Sequence, residues 1–417
     1  MLSRFSVLAA LSLLVAGAAP HGILPAAAQS NVELAQSELV AAKSAAPPAA
    51  AATPDVIETP AREAFMIDYD TGVVLLDKNG DQRMPPSSMS KLMTAYVVFD
   101  RLKKGSLKMD DEFTVSERAW RAGGAASGGS TMFLPLNARV KVEDLLHGII
   151  IQSGNDACMV IAEGLSSSEE AFAELLNQKA RELGLTNSTF RNASGLPDPG
   201  HMMTARDLAT LARHIIGDFP EYYAIYSQKS FTYNGITQGN RNPLLYKDMG
   251  ADGLKTGHTE AAGYGLTASV KRGDRRLILV VNGLSSMNER AQETARLVDW
   301  GFREFENYRL FRAGQQVGDA AVWLGADERV PLVVARDAIV TLRRTAKPGM
   351  VAKLVYDGPI PAPIAKGTEV ARIEVTAPDS PPMSLPVVAG ADVAPLGTFG
   401  RITAALHHYL SGGPDRK

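Results

Sequence analysis

The strongest constraint on this chain is a set of three short polar motifs in fixed order, which any fold that uses them must gather from distant segments into one cleft. They are Ser88 with Lys91, then Ser153, Gly154 and Asn155, then Lys255, Thr256 and Gly257. Ser88 and Lys91 form the only Ser-x-x-Lys in the sequence. So short a motif carries little alone, whereas the ordered trio reads as an acyl-transfer site. Pro85 and Pro86 stop any helix from entering upstream, and Leu92, Ala95, Tyr96, Phe99 and Leu102 recur at helical intervals. The spacing predicts a helix over 88–103, with the Ser88 hydroxyl and the Lys91 amine on one face. The amide groups of a first helical turn favour negative charge, which suits an attacking oxygen and the oxyanion that follows.

A serine hydroxyl is a weak nucleophile without a base, and a protonated lysine cannot be that base. Lys91 must therefore be neutral, which burial and a second cation both promote; Lys255 is the candidate cation. Ser153 then relays the proton to the leaving amine, while Asn155 positions the substrate backbone and the Lys91 amine. Segments 263–270 and 276–283 read as a β-hairpin turning at 271–274, which places Lys255, Thr256 and Gly257 on an edge strand facing the cleft. An extended peptide can pair antiparallel along that edge, with Gly257 admitting its backbone and the NH groups of Ser88 and His258 as oxyanion donors. Taken singly, each residue also has an ordinary role: Ser88 and Asn155 as helix caps, Lys91 as a surface lysine, Lys255 to Gly257 as a turn. A second Ser-x-Asn, at Ser286 and Asn288, comes after Lys255 and so falls outside the order.

The longer strings around these motifs, at 86–94, 129–133, 150–158 and 252–259, resemble the serine D-alanyl-D-alanine carboxypeptidases, the low-molecular-mass penicillin-binding proteins of peptidase family S11 type. The resemblance implies an α/β (α+β) penicillin-binding/β-lactamase-like domain, an antiparallel sheet flanked by helices with a helical subdomain, followed by a small all-β domain. It implies removal of the terminal D-alanine from peptidoglycan pentapeptide stems through an acyl-enzyme on Ser88, with β-lactam antibiotics as covalent inhibitors. Carried over, Ser88 is the nucleophile, Lys91 its base, Ser153 and Asn155 the relay and positioning pair, and Lys255, Thr256 and His258 the binding strand. Arg241 and Arg290 look like the family's carboxylate-side arginines, whose planar forks suit a carboxylate. Ordinary surface pairing is the competing role for both. Three rivals keep the same site: a β-lactamase, a D,D-endopeptidase and a non-catalytic protein that binds wall peptide. No glutamate stands out as the deacylating base of a β-lactamase, and the intact Ser88, Lys91 and Lys255 argue against a mere binder.

The chain has 417 residues, 45% of them hydrophobic, enough for about two or three domains with proper cores. Its net charge of -2 carries no basic excess, so nucleic acid is not an expected partner. Residues 1–28 read as a signal peptide: Arg4, a short apolar run over 5–19 and small residues at Ala26 to Ala28. The run is too short to span a bilayer, so export is expected, to the periplasm or the outer face of the bacterial cytoplasmic membrane. Residues 29–58 are an Ala/Pro-rich linker and 59–310 the catalytic domain. Residues 311–395 are short β-rich runs broken by Gly and Pro, a small all-β domain serving as spacer or wall-binding module. In 396–417, Phe399, Ile402, Leu406, Tyr409 and Leu410 form an apolar stripe that resembles the family's peripheral membrane anchor; docking on the β domain is the alternative.

Within the catalytic segment, strands are expected at 61–69 and 72–76, and helices at 142–152, 156–165, 169–183 and 205–216. Ser153 and Asn155 lie on the connection between the first two helices, which must face Ser88. The single Cys158 reads as a small buried hydrophobe inside the second. The seven histidines have no metal-ligand spacing and no glycine-rich phosphate loop appears, so no metal or cofactor is expected. Asn187 to Thr189 and Asn192 to Ser194 are formal glycosylation triplets, read as coincidental.

Overall fold

A computed structural model describes residues 57–397 together with Gly400. The expected signal peptide lies outside the described residues, as do nearly all of the linker and of the terminal amphipathic segment. The catalytic part is built on one five-stranded antiparallel sheet. Its early strands are β1 (Glu63–Asp68) and β2 (Val74–Lys78), its late ones β7 (Ala251–Thr259), β8 (Gly263–Arg272) and β9 (Arg275–Leu284), in the order β2-β1-β9-β8-β7. The expected hairpin is present, and β1 closes the sheet against β9 with Phe65 opposite Val280. Two small antiparallel pairs lie between: β3 (Glu112–Thr114) with β4 (Arg139–Lys141), and β5 (Ser230–Tyr233) with β6 (Ile236–Gly239).

Both faces of the sheet are covered, which is why its strands are apolar runs and not alternating patterns. Ala64, Met66, Leu277, Leu279 and Val281 pack with Leu297 and Val298 of α7 (Met287–Glu304). Phe65, Ile67, Ile278 and Val280 face the other way, into the larger core with α1 (Lys91–Lys103) and α5 (Ala205–Asp218). The helical subdomain adds α2 (Val142–His147), α3 (Asn155–Ser166), α4 (Glu169–Glu182) and the short α6 (Pro220–Tyr223). Local capping fixes several starts: the side chains of Ser168, Thr204 and Ser286 accept hydrogen bonds from Ala171, Asp207 and Glu289 backbone NH groups. Ser286, the stray Ser-x-Asn residue, is therefore the N-cap of α7. The helix expected over 142–152 is α-helical only to His147, and a π-helical turn over Gly148–Gln152 delivers Ser153 in a left-handed conformation at φ 62°.

Beyond α7 the chain is β-rich. Strands β10 (Phe305–Phe311) and β13 (Ala338–Arg343) pair with each other. The other six are β11 (Gln316–Trp323), β12 (Arg329–Val333), β14 (Val351–Val355), β15 (Ile360–Pro361), β16 (Glu369–Ala377) and β17 (Ser380–Ala389), in one sheet over a separate core that includes Val330, Leu332, Ile373 and Val387. β10 straddles the boundary expected at 310 and belongs by its pairing to the β-rich part.

A polar junction joins the two parts. Asp68, fully buried at the end of β1, accepts hydrogen bonds from Arg275 Nε at 2.9 Å and Asn307 Nδ2 at 3.2 Å. Asn307 in turn accepts from Thr341 of β13, whose hydroxyl also meets that of Thr71. Replacing Asp68 by Ala removes the carboxylate facing Arg275 Nε, leaves that guanidinium only backbone carbonyl partners at Gly301 and Phe305, and is expected to cost about 3 kcal/mol, the scale for breaking a buried ion pair. Urea denaturation measures it, and an unchanged midpoint would refute the junction's importance.

Candidate active site

Ser88 sits on a 3₁₀ turn, Ser87–Ser90, that runs directly into α1. The turn begins after Pro85 and Pro86, with Met89 N bonded to Pro86 O at 3.2 Å. Lys91 opens the α-helix and is 1% exposed. Its Nζ lies 2.9 Å from Ser88 Oγ, 2.8 Å from Asn155 Oδ1 and 2.6 Å from the Ser194 carbonyl oxygen. Two of these three partners can only accept. A neutral amine has two N–H groups for them, which leaves its lone pair for the Ser88 hydroxyl proton. The Lys91 pKa is lowered to about 8, chiefly by burial; Cys158 and Asp156 act to raise it, and the Arg241 charge to lower it.

Lys255, 2% exposed on the edge strand β7, donates to Ser153 Oγ at 2.9 Å and to the Thr256 carbonyl at 3.1 Å. Burial, then the charges of Lys91 and Arg241, hold it well below the ordinary lysine range. The second lysine expected near Lys91 is thus in place, but the positive charge that lowers Lys91 is that of Arg241, and it is the Lys91 charge that acts to lower Lys255. All three motifs meet.

Two loops that local sequence did not assign complete the walls. Asp156, fully buried at the start of α3, accepts from Thr131 Oγ1 at 2.6 Å, Met132 N at 3.0 Å and Leu134 N at 3.1 Å. This holds Ser130 in the cleft, where its hydroxyl accepts a close hydrogen bond from Arg241. Across the cleft, Ala193 is pinned by Thr94 through its carbonyl at 2.6 Å and by Glu169 through its NH at 3.1 Å. Asn192 Oδ1 accepts from Ser194 N and Gly195 N. Gly195 has φ 77°, and a Cβ there would lie 1.9 Å from Ser87 O. The Asn192 to Ser194 triplet is therefore the segment that brings a carbonyl to Lys91. Its run of turn-forming residues was a legible signal for a loop, but nothing local says which site the loop closes.

The cleft encloses about 410 Å³, with Ser88, Ser130, Asn155, Arg241 and His258 on its walls. Lys91, Ser153 and Lys255 are buried immediately behind, and Thr256 is buried within β7. Gly257 has a structural part as well. A Cβ on it would come within 2.9 Å of Pro86 O and 3.2 Å of Ser87 Cβ, so its lack of a side chain seats β7 against the Ser88 turn. The two arginines also part company. Arg241 lines the cleft, whereas Arg290, on the first turn of α7, is not on its walls but is near enough for its charge to lower the pKa of Lys255. Arg290 lies 5.8 Å from the ring of Tyr264, which stacks on His258 at 3.9 Å. Cys158 is fully buried and its thiol is pushed up to about 12 by burial, which keeps it a packing residue. Among the described residues, no cluster of His, Cys, Asp or Glu side chains could hold a metal ion.

The pH dependence of Ser88 acylation follows from Lys91. Its reactive form is the neutral amine, so the acylation rate should rise with pH and level off above about 8. Stopped-time labelling with a fluorescent penicillin across that range measures it, and a flat profile would remove Lys91 as the base.

A family model described as D-alanyl-D-alanine carboxypeptidase matches residues 48–286, and one described as the C-terminal domain of penicillin-binding protein 5 matches 305–395. The chain is 40% identical over 361 residues to the D-alanyl-D-alanine carboxypeptidase DacC of Escherichia coli, covering 85% of this chain and 90% of that one. It is 38% identical over 359 residues to DacD of the same organism, covering 85% and 92%. The solved structure of penicillin binding protein 5 from Haemophilus influenzae superposes with a TM-score of 0.77 at 37% identity, covering 82% of this chain and 100% of that one. On these matches, together with a serine and a buried lysine in hydrogen-bond contact, the chain belongs to the D-alanyl-D-alanine carboxypeptidase family of serine hydrolases.

Proposed function

We propose that this protein removes the terminal D-alanine from peptidoglycan pentapeptide stems through an acyl-enzyme on Ser88. The observation that carries the proposal is the Lys91 amine, held by the Asn155 and Ser194 oxygens with Ser88 Oγ at 2.9 Å. The stem lies extended along the free edge of β7, its terminal carboxylate at Arg241. Ser88 Oγ attacks the carbonyl carbon of the penultimate D-alanine and its proton passes to Lys91 Nζ. The NH groups of Ser88 and His258 take the oxyanion. Collapse expels D-alanine, whose amine receives a proton through Ser153, poised by Lys255 at 2.9 Å. Water then cleaves the ester and frees Ser88. A β-lactam, with its carboxylate and strained amide, acylates the same oxygen.

The chain is further proposed to act outside the cytoplasm after loss of residues 1–28, at the periplasmic face of the membrane. No helix among the described residues is long and apolar enough to cross a membrane, so contact there falls to the amphipathic stripe within 396–417.

Mass spectrometry of D-alanine release from a pentapeptide ending in D-Ala-D-Ala tests the chemistry. Ser88→Ala should lose at least about a thousandfold, the scale on which nucleophile removal acts, along with penicillin labelling. Steady-state turnover of β-lactam as fast as that of peptide would mark a β-lactamase instead, and a wild type that penicillin fails to label would mark a mere binder. Deleting 399–417 should release the protein from membrane pellets, and unchanged sedimentation would remove the anchor.

A further inference from the structure

We infer that His201 is a positioning residue for acylation: its Nε2–H holds Ser90, the last residue of the nucleophile turn and the neighbour of Lys91, and so sets how Ser88 Oγ meets the Lys91 amine. The inference rests on the reading above, in which Lys91 is the base for Ser88, and adds a group that reading does not use.

One segment, 194–203, grips the chain on both sides of Ser88. Met84 and Met203 exchange backbone hydrogen bonds at 2.8 and 3.0 Å, Gly195 closes on Ser87 O, and the Ser194 carbonyl meets Lys91. These are contacts of the segment's backbone. His201 adds a side chain to them: its Nε2 lies 2.7 Å from Ser90 Oγ, with the two residues 2% and 0% exposed. Ser90 stands at the N-cap of α1, where a serine hydroxyl ordinarily accepts from a backbone NH of the first turn, yet it makes no such bond. Its hydroxyl is turned to His201 instead.

The other ring nitrogen fixes the direction of that bond. The Arg191 backbone NH donates to His201 Nδ1 at 3.3 Å, so Nδ1 is the bare nitrogen and Nε2 carries the proton. Burial lowers the pKa of the ring to about 4; Asp198 acts to raise it, and the charges of Lys91 and Arg191 to lower it. The imidazole is therefore neutral wherever the Lys91 amine is neutral. Phe190 meets the ring edge-on, with centroids 5.5 Å apart, so packing holds it as well as hydrogen bonds at both nitrogens. A ring held in this way does not swing, and neither does the Ser90 oxygen bonded to it. Ser90 lies between the two reacting groups in the chain, and the 2.9 Å contact from Lys91 Nζ to Ser88 Oγ is closed across its backbone. The placement of Ser90 is thus the placement of that contact.

Stopped-flow labelling with a fluorescent penicillin separates the acylation rate constant at saturation from the concentration that half-saturates it. His201→Leu removes the donor and should lower the rate constant about tenfold, inside the roughly hundredfold that a misplacement of about 1 Å can cost, with half-saturation unchanged. His201→Gln, whose amide Nε2 can donate from the same place, should recover most of the loss. Ser90→Ala should match His201→Leu, and the double variant should be no slower than either, since both remove one interaction. A smaller folded fraction alone lowers the labelled amplitude and leaves the rate constant, so it is not mistaken for the effect. Should His201→Leu fail to fold, Ser90→Ala and His201→Gln against the wild type carry the comparison. An unchanged rate constant in His201→Leu or Ser90→Ala, an equal loss in His201→Gln, additive losses in the double variant, or a rise in half-saturation at unchanged rate each overturns the positioning role. A wild type that penicillin leaves unlabelled overturns the acylation reading itself, and the inference with it.

Discussion

The site depends on one amine removed from water. A lysine this deeply buried is tolerated only if its polar atoms find partners, and the partners of Lys91 come from three separate parts of the chain. Ser88 is on the turn before its own helix, Asn155 starts α3, and the Ser194 carbonyl is on a loop. The arrangement does more than stabilise. Two fixed oxygen acceptors leave the neutral amine one free direction for its lone pair, and that direction is Ser88. Burial, which lowers the lysine pKa, and geometry, which aims it, act together.

Holding that geometry requires each contributing segment to be anchored in turn. Asp156 gathers the 131–134 segment onto α3 through backbone and hydroxyl donors, and Glu169 with Thr94 fixes Ala193. Gly195 and Gly257 act by having no side chain: one lets the carbonyl loop close on Ser87, the other lets β7 press against the Ser88 turn. Such supporting contacts keep reacting atoms within hydrogen-bond reach without reorganisation during the reaction. The left-handed Ser153 at the end of a π-helical turn is a further local departure from regular structure at the point where chemistry is expected.

Much of the frame was legible in the letters. α5 carries a 3.6-residue apolar period with Thr204 as its cap, and β8 and β9 are apolar runs around a tight turn, so both elements announce themselves locally. The π-helical turn was not legible, because Gly148–Gln152 continues the helical apolar pattern and only its packing widens the turn. The surroundings of Arg290 and Gly257 were not legible for another reason. Sequence neighbours give a residue its element, but which face of the sheet that element covers, and what stands 3 Å away, depends on segments far along the chain.

The sequence alone determined the nature of the chemistry: a hydroxyl and an amine one helical turn apart, and a second lysine on an edge strand, because those relations are set by local backbone periodicity. Tertiary structure alone decided that the amine is dry, that its third partner is the backbone carbonyl of Ser194, and that Arg241 lines the cleft beside Ser130. Burial and long-range hydrogen bonds arise only when distant segments pack, and no spacing along the chain encodes them by itself.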